Sequence, residues 1–153
     1  MEKSITLRQS AYANKVLEQF GMSDCNAVNV PLEHKVKLHK DGEGEPIDVT
    51  EYRCIIGSLR YLLHTRPDLS FAVGLLSRYM QRPTSLHLKA MKQTLRYLKG
   101  TIHFGLIYTK GGNDEELVCY SNSDLAGDLD DRKSTGGMVF YINNCLVSWG
   151  SYK

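Results

Sequence analysis

The hydrophobic period of this sequence changes once, and that change limits the folds available to the chain. Through residues 48–100, apolar side chains recur three and four positions apart, which is the spacing of one face of an α-helix. After residue 104, the apolar residues fall in short β-rich runs separated by Gly, Asn and Asp. Helices followed by strands indicate an α+β fold, and we expect that class.

Three helices are predicted in residues 48–100. Asp48, with Glu51 three residues later, resembles a capping box at the start of the first helix. Pro67 is expected in the first turn of the second helix, and Pro83 just past its end. The centre of the second helix is apolar nearly all round from Phe71 to Leu76, so we expect it to be buried.

The third predicted helix, "TSLHLKAMKQTLRYLKG", is the most amphipathic and is expected to end at Gly100. One side is apolar, with Leu88, Met91, Leu95 and Leu98. A basic stripe follows the same spacing and consists of Lys89, Lys92, Arg96 and Lys99. No aromatic side chains interleave with the stripe, which favours contact with a phosphate backbone over base stacking.

The charge is distributed unevenly along the chain. Residues 51–110 hold ten Lys or Arg and two acids, a net charge of +8, whereas the remainder holds nine bases and fifteen acids, a net charge of −6. A basic block of this kind indicates a polyanionic partner, most often nucleic acid. A solvated helix surface is the alternative, and composition alone does not separate the two.

The flanks of the helical region are less regular. A short strand is predicted over "SITL", followed by a helix that Gly21 terminates. Residues 26–47 lack periodicity and are predicted to form a long connection. His34 and His39 in this connection lack the cysteine or carboxylate partners of a metal site, and a solvated loop is expected there.

The last third of the chain predicts a small sheet. "FGLIYTK" and "LVCYSNSDL" are strand candidates separated by the turn "GGNDEE". "GGMVFYINNCLVSWGS" contains two further β-rich runs, and Asn143-Asn144 between them suits a tight hairpin turn. Nothing follows to cover the last strand, so we expect a truncated sheet domain.

Composition excludes several protein classes. The four cysteines form no C-x-x-C pair, which favours reduced thiols over a disulfide framework or a zinc site. No stretch approaches the roughly 20 apolar residues of a membrane helix, and no secretory signal is evident. We expect an intracellular protein of the cytoplasm or nucleus, with an organelle left open, and no membrane partner.

These segments resemble a known family. "QSAYANKVLEQFGMSDCNAVNVPLE" and "YRCIIGSLRYLLHTRPDLSFAVGLLSRYMQRPTSLHLKAMKQTLRYLKGT" resemble the C-terminal part of the reverse transcriptase of copia-type long-terminal-repeat retrotransposons. "CYSNSDLAGDLDDRKSTGGMVFYINNCLVSWGS" is similar to the start of the ribonuclease H domain that follows it. The resemblance implies a helical thumb and connection region over residues 1–110, and the first three strands of a ribonuclease H-like sheet over residues 115–153.

The family's catalytic residues are not matched. The resemblance places the polymerase Tyr-x-Asp-Asp turn upstream of these residues, and the only Asp pair here, Asp130-Asp131, matches the ribonuclease H loop instead. The family's first ribonuclease H strand reads Tyr-Ser-Asp-x-Asp-Trp-Ala-Gly, and its metal-bridging Asp corresponds to Asn122. Asp124 matches the second Asp, whereas Leu125 replaces the Trp. The family uses Mg²⁺, and a neutral amide brings no charge to balance it, so we expect no retained cofactor and no metal site.

We therefore interpret the chain as a catalytically inert part of a copia-type polyprotein. The resemblance implies that its helices grip a primer–template duplex, and the basic stripe predicts weak, non-specific contact with an RNA–DNA or DNA duplex. Three alternatives stay open. These are a non-catalytic nucleic-acid-binding protein kept by its host, an interaction module that assembles with a separate polymerase palm or the rest of the polyprotein, and a relic without function.

Overall fold

The computed structural model describes residues 3–34, 36–40, 44–110 and 116–153. The described helices are α1 (Ser10–Gln19), α2 (Val49–Leu62), α3 (Ser70–Ser77) and α4 (Ser85–Gly100). The described strands are β1 (Ser4–Leu7), β2 (Leu106–Thr109), β3 (Leu117–Ser123), β4 (Gly136–Ile142) and β5 (Cys145–Tyr152). The α+β class is confirmed. The predicted turn "GGNDEE" lies, except for Glu116, outside the described residues.

The four helices share one hydrophobic core. Its most buried large side chains include Leu17 of α1, Ile56 of α2, Leu76 of α3 and Leu98 of α4, each at most 1% exposed. Each helix contributes an apolar face, so the hydrophobic burial that stabilises the protein is concentrated here. The apolar side predicted for α4 is confirmed for Met91, Leu95 and Leu98, whereas Leu88 is partly buried. The other buried residues of α4 are His87, Ala90, Thr94 and Tyr97.

The start of α2 follows the sequence prediction in part. Asp48 is the N-cap residue, and its Oδ1 accepts the backbone N–H of Thr50 at 2.7 Å and that of Glu51 at 3.4 Å. This satisfies two backbone donors that the first turn would otherwise leave unpaired. The bond from the Asp48 backbone to the Glu51 side chain, which a full capping box requires, is not among the hydrogen bonds of the described residues.

The prediction for α3 was wrong in two respects. Pro67 does open a short 3₁₀ turn, Pro67–Leu69, but the α-helix that follows ends at Ser77, well before Pro83. Ala72, Val73 and Leu76 are buried as expected, but Phe71 is 51% exposed. Its ring lines an open groove of about 550 Å³ between α3 and the β3–β5 sheet. The side of α3 that carries Phe71 stays exposed because the neighbouring sheet stands away from it.

Two antiparallel sheets complete the fold. β1 pairs with β2, with Ser4 opposite Thr109 and Leu7 opposite Leu106, so the start of the chain returns to the segment that follows α4. Gly105 is required beside this pair, since a Cβ there would overlap the carbonyl oxygen of Leu7. The strand predictions for "SITL" and "FGLIYTK" are confirmed, whereas their pairing is a long-range contact that periodicity does not predict.

The second sheet has the order β3-β4-β5. The predicted hairpin turn is confirmed, because Asn143 and Asn144 adopt positive φ angles of 49° and 62° between β4 and β5. Trp149 of β5 donates its indole N–H to the carbonyl oxygen of Leu63 at 3.1 Å. One face of the sheet is therefore attached to the helical core at the end of α2.

The described part of residues 26–47 contains no helix and only one isolated bridge, between Pro46 and Thr84. It nevertheless contributes buried side chains to the core, since Leu32 and Leu38 are each 9% exposed. The prediction of an irregular connection is confirmed, but this connecting segment is packed against α4. Among the described residues, no helix is long and apolar enough to cross a membrane.

Candidate functional site

The basic stripe lies on α4 beside its buried face. Lys89 and Lys92 are exposed, whereas Arg96 and Lys99 are partly buried. The sequence therefore placed all four cations correctly on one face of one helix. Lys89 and Lys92 are therefore accessible to an anion in solution, whereas the side chains of Arg96 and Lys99 are partly covered by neighbouring residues.

The connecting segment runs along α4 and fixes one end of the stripe. Arg96 Nε donates to the carbonyl oxygen of Asn26 at 2.7 Å, and the backbone N–H of Val28 donates to the carbonyl of Arg96 at 3.4 Å. Thr94 Oγ1 donates to the carbonyl of Pro31 at 3.0 Å. Arg96 therefore holds the connecting segment in addition to contributing charge to the stripe, a role that the sequence did not indicate.

A groove of about 540 Å³ runs between α4 and its neighbours. Its lining side chains are Met22, Glu33, Ser85, Leu88, Lys89, Lys92, Gln93 and Arg96. Three cations and one carboxylate line it, so the groove has a net positive charge. A phosphate group beside it would contact lysine ammonium groups without any base-specific donor or acceptor pattern.

His87 anchors the start of α4 in its neutral form. It is 1% exposed and stacks on Tyr79 with ring centroids 4.1 Å apart. Its Nδ1 accepts the backbone N–H of Thr84 at 3.0 Å, so Nε2 carries the proton and donates to the carbonyl of His39 at 3.1 Å. Burial lowers the pKa of His87, which favours the neutral ring. His34 and His39 have exposed side chains, as predicted.

We expect stability to fall on acidification because of His87. Its pKa is lower in the folded state than the unfolded value of about 6.5, so its contribution is complete above that pH and is lost as the pH falls below it. Protonated Nδ1 cannot accept the Thr84 N–H. The variant His87→Gln keeps a hydrogen-bond acceptor at this helix position but has no titrating ring. Its free energy of unfolding should therefore decrease less than that of the wild type between about pH 7 and about pH 5. Denaturant titrations measure this.

The matched control is His103→Gln, because His103 is exposed. That variant should keep the pH dependence of the wild type. An equal fall in stability for His87→Gln and the wild type would contradict the assignment of the pH effect to His87.

Arg66 is a charged residue buried in the protein. Arg66 is 2% exposed, and its guanidinium binds both carboxylate oxygens of Asp68, at 3.0 and 2.7 Å. It also donates to the carbonyl and the hydroxyl of Thr101, at 3.0 and 2.6 Å. Burial opposes ionisation of Asp68, but the hydrogen bonds and charge of Arg66 outweigh it and lower the pKa of Asp68. Arg66 therefore adds nothing to the basic surface inferred from composition.

Asn122, where the resemblance predicts a carboxylate, lies near the end of β3. Asn122 is exposed and pairs with Gly137 of β4. Asp124 follows the strand, and its Oδ1 accepts the backbone N–H of Thr135 at 2.6 Å. Both residues line the groove below Phe71. The Asp124 carboxylate thus closes the loop between β3 and β4, and the amide of Asn122 brings no negative charge to this place.

The acidic loop that follows β3 is held to other parts of the protein by its one buried carboxylate, Asp128. Asp128 is 6% exposed, and its carboxylate binds Arg78 at 2.8 Å and Lys153 at 2.6 Å. Burial opposes its ionisation, but hydrogen bonds from Lys153 and from the backbone of Asp130 and Asp131 outweigh this and lower its pKa. The loop is tied to α3 and to β5.

The other loop carboxylates are also engaged. Asp130 accepts the backbone N–H of Lys40 at 3.0 Å, and Asp131 lies 3.0 Å from Lys153 Nζ and 3.9 Å from Lys133 Nζ. Within the described ranges, no group of three or more His, Cys, Asp or Glu side chains is arranged to hold a metal ion. The donor set at Asn122 and Asp124 does not fit a pair of Mg²⁺ ions.

Comparison with known proteins finds three plant transposon polyproteins among the relatives of this chain. The chain is 44% identical over 147 residues to the retrovirus-related Pol polyprotein from transposon RE1 of Arabidopsis thaliana, covering 96% of this chain and 10% of that protein. It is 43% identical over 151 residues to the corresponding polyprotein from transposon RE2 of the same plant, covering 99% and 10%. The polyprotein from transposon TNT 1-94 of Nicotiana tabacum is 38% identical over 157 residues, with 97% and 12% covered.

The chain therefore spans about a tenth of the length of these relatives. No family model matches it, and no solved structure does.

Proposed function

The chain belongs to the retrovirus-related Pol polyproteins of copia-type transposons, and we propose that it holds a nucleic-acid duplex for the polyprotein without catalysing a reaction itself. Residues 1–110 are assigned to the C-terminal part of the reverse transcriptase, and residues 115–153 to the start of the ribonuclease H domain. The change from a helical core to a three-stranded sheet between these ranges supports that assignment.

The exposed lysines of α4 carry the proposal. Lys89 and Lys92 line the same groove, and Lys99 continues the stripe along the helix. The core fixes the helix, so these cations are held at fixed spacing. Lysine contacts with phosphate oxygens bind duplexes of any sequence, and each contact releases counterions.

Salt dependence tests this proposal. The logarithm of the affinity for a duplex of arbitrary sequence should fall linearly with the logarithm of the salt concentration, because phosphate contacts dominate the binding. Affinity that is insensitive to salt, or no binding at low salt, would contradict it.

The absence of catalysis is the second part of the proposal. A two-metal nuclease requires several carboxylates that converge on Mg²⁺. Here Asn122 is neutral, Asp124 is bonded to the Thr135 N–H, and Asp128 is paired with Arg78 and Lys153. The 153 residues also lack a Tyr-x-Asp-Asp turn. These features support a binding role over an enzymatic one.

Restoring the missing carboxylate should not restore cleavage. Asn122→Asp is expected to leave the chain without Mg²⁺-dependent hydrolysis of an RNA–DNA hybrid, since the neighbouring acids are held by protein donors. Hydrolysis of a labelled hybrid in Mg²⁺ measures this, with the wild type and Asn122→Ala as controls. Cleavage by the Asp variant alone would show that the acidic loop supplies the remaining ligands.

A further inference from the structure

Exposed residues recur at helical spacing along α2 and just past its end, namely Arg53, Gly57, Arg60, Tyr61 and His64. They form the outward face of α2. Within the described part of the chain, neither arginine of this face is in an ion pair. Glu51, the one acid of α2, lies two residues before Arg53 and therefore on another side of the helix. The outward face of α2 is therefore positively charged.

This face also carries an open aromatic ring. Tyr61 is 55% exposed, although two other rings contact it. The ring of Tyr12 in α1 lies 4.9 Å from it between centroids, and that of His64 lies 5.6 Å away. Both contacts are edge-on, at interplanar angles of 68° and 62°. Neither neighbour is stacked parallel on Tyr61, so a large part of its ring stays accessible to a ligand.

The surroundings hold Tyr61 in place. His64 Nδ1 lies 2.8 Å from the carbonyl oxygen of Tyr61, to which it donates because a carbonyl only accepts. Tyr12 joins the ring to α1, and Thr65 Oγ1 donates to Gln9 Oε1 at 2.7 Å, which ties the residues just past α2 to the start of α1. A ring that is already fixed loses little conformational freedom when a ligand binds to it.

Space for a second ring lies beside Tyr61. Gly57 lies one helical turn before it on α2 and is exposed. A Cβ added at Gly57 would meet no atom within 4 Å. The surrounding side chains, that of Tyr61 included, therefore leave this turn of the helix uncovered. A flat group placed against Tyr61 can lie over the bare backbone without collision.

We propose that the outward face of α2 binds single-stranded nucleic acid. One base stacks on the Tyr61 ring above Gly57, and Arg53 and Arg60 bind the neighbouring phosphates. Aromatic rings combined with cations suit unpaired strands, and any base can stack on such a ring. A duplex fits poorly, because its bases must first be unstacked and unpaired. This site lies outside α4 and does not rest on the duplex-binding proposal.

Fluorescence anisotropy with a labelled dT oligonucleotide of about 12 nucleotides tests the proposal. The background is the chain with Lys89, Lys92 and Lys99 changed to Gln, so that the α4 stripe does not contribute. This background should bind the single strand, and unlabelled duplex should compete poorly. Tyr61→Leu should weaken the binding about tenfold, whereas Tyr61→Phe keeps the ring and should bind like the background.

Tyr120→Leu is the matched control. Tyr120 is 63% exposed and also contacts a second tyrosine edge-on, but its strand, β3, carries no arginine or lysine. This control should bind the single strand like the background, and denaturant unfolding checks that each variant is folded. Equal losses for Tyr61→Leu and Tyr120→Leu, or no single-strand binding by the background, would overturn the proposal.

Gly57→Leu provides a second test that leaves Tyr61 unchanged. The new Cβ has room, and leucine favours a helix more than glycine does, so the fold should be kept. The leucine side chain occupies the space beside Tyr61, and single-strand affinity should therefore fall about tenfold. Gly57→Ala adds only a methyl group and should bind more tightly than the leucine variant. Unchanged affinity for Gly57→Leu would show that no base stacks above this turn and would overturn the proposal.

Discussion

Asp68→Ala is expected to lower the free energy of unfolding by about 3 kcal/mol. The Arg66 guanidinium has only 2% of its side-chain surface exposed, and Asp68 is its sole carboxylate partner within the described residues. Removing that carboxylate leaves a buried cation whose desolvation is offset only by its hydrogen bonds to Thr101. The Tyr97 hydroxyl, which donates to Asp68 Oδ2 at 2.8 Å, loses its acceptor as well.

A double-mutant cycle separates this pair from the rest of the core. Arg66→Met and Asp68→Leu together remove both charges, and this double variant should be more stable than the sum of the single changes predicts. Glu18→Ala, at an exposed position of α1, is the matched control and should alter stability by no more than about 0.5 kcal/mol. Denaturant unfolding of the two single variants of the cycle, the double variant, Asp68→Ala and Glu18→Ala measures these effects. Equal effects for Asp68→Ala and Glu18→Ala would show that Arg66 finds another partner.

The importance of Arg66 was not apparent from the sequence, and the reason is physical. Asp68 is a near neighbour, but Thr101 lies 35 positions away and is brought to the guanidinium only by the packing of α4. Arg78 and Asp128 are likewise separated by 50 positions. Counting charges along the chain assigns such residues to the surface, because the burial of one member of an ion pair leaves no periodic signal. The pattern "RPD", with opposite charges two residues apart, is the one local indication.

Elements set by local chemistry were predicted well. The spacing of Met91, Leu95 and Leu98 identifies the buried side of α4, and Asn143-Asn144 sets the two-residue turn between β4 and β5. These signals require only the residues within one helix or one hairpin. The failure at Phe71 has the opposite cause, because its exposure depends on where the β3–β5 sheet stands relative to α3.

The basic stripe on α4 shows both what the sequence predicts and what it does not. The stripe of cations on α4 follows from helical spacing alone, and the structure retains it. Arg96 nevertheless donates to the carbonyl of Asn26, a residue in a segment without periodicity. Sequence reasoning therefore finds the charged surface but not which cation also holds the protein together. A test of nucleic-acid binding should leave Arg96 unchanged for that reason.

Changing Lys89, Lys92 and Lys99 together to Gln is expected to reduce the salt dependence of duplex binding severely. Each lysine that neutralises a phosphate adds roughly 0.9 to the slope of log affinity against log salt for duplex DNA. Loss of all three should lower that slope by about 2 to 3 and weaken binding at low salt for every duplex sequence alike. Fluorescence anisotropy over a series of salt concentrations measures the slope.

The control variant for this experiment must lose three positive charges at positions outside α4. Lys3, Lys15 and Lys110 are exposed and lie outside α4, so changing them to Gln gives an equal change in net charge. If general electrostatic attraction governs binding, the slope of log affinity against log salt should fall by the same amount in both triple variants. If α4 is the contact surface, the control should keep most of the wild-type slope, because each phosphate contact is local. Equal slopes for the wild type and the α4 variant would mean that the stripe is a solvated helix face.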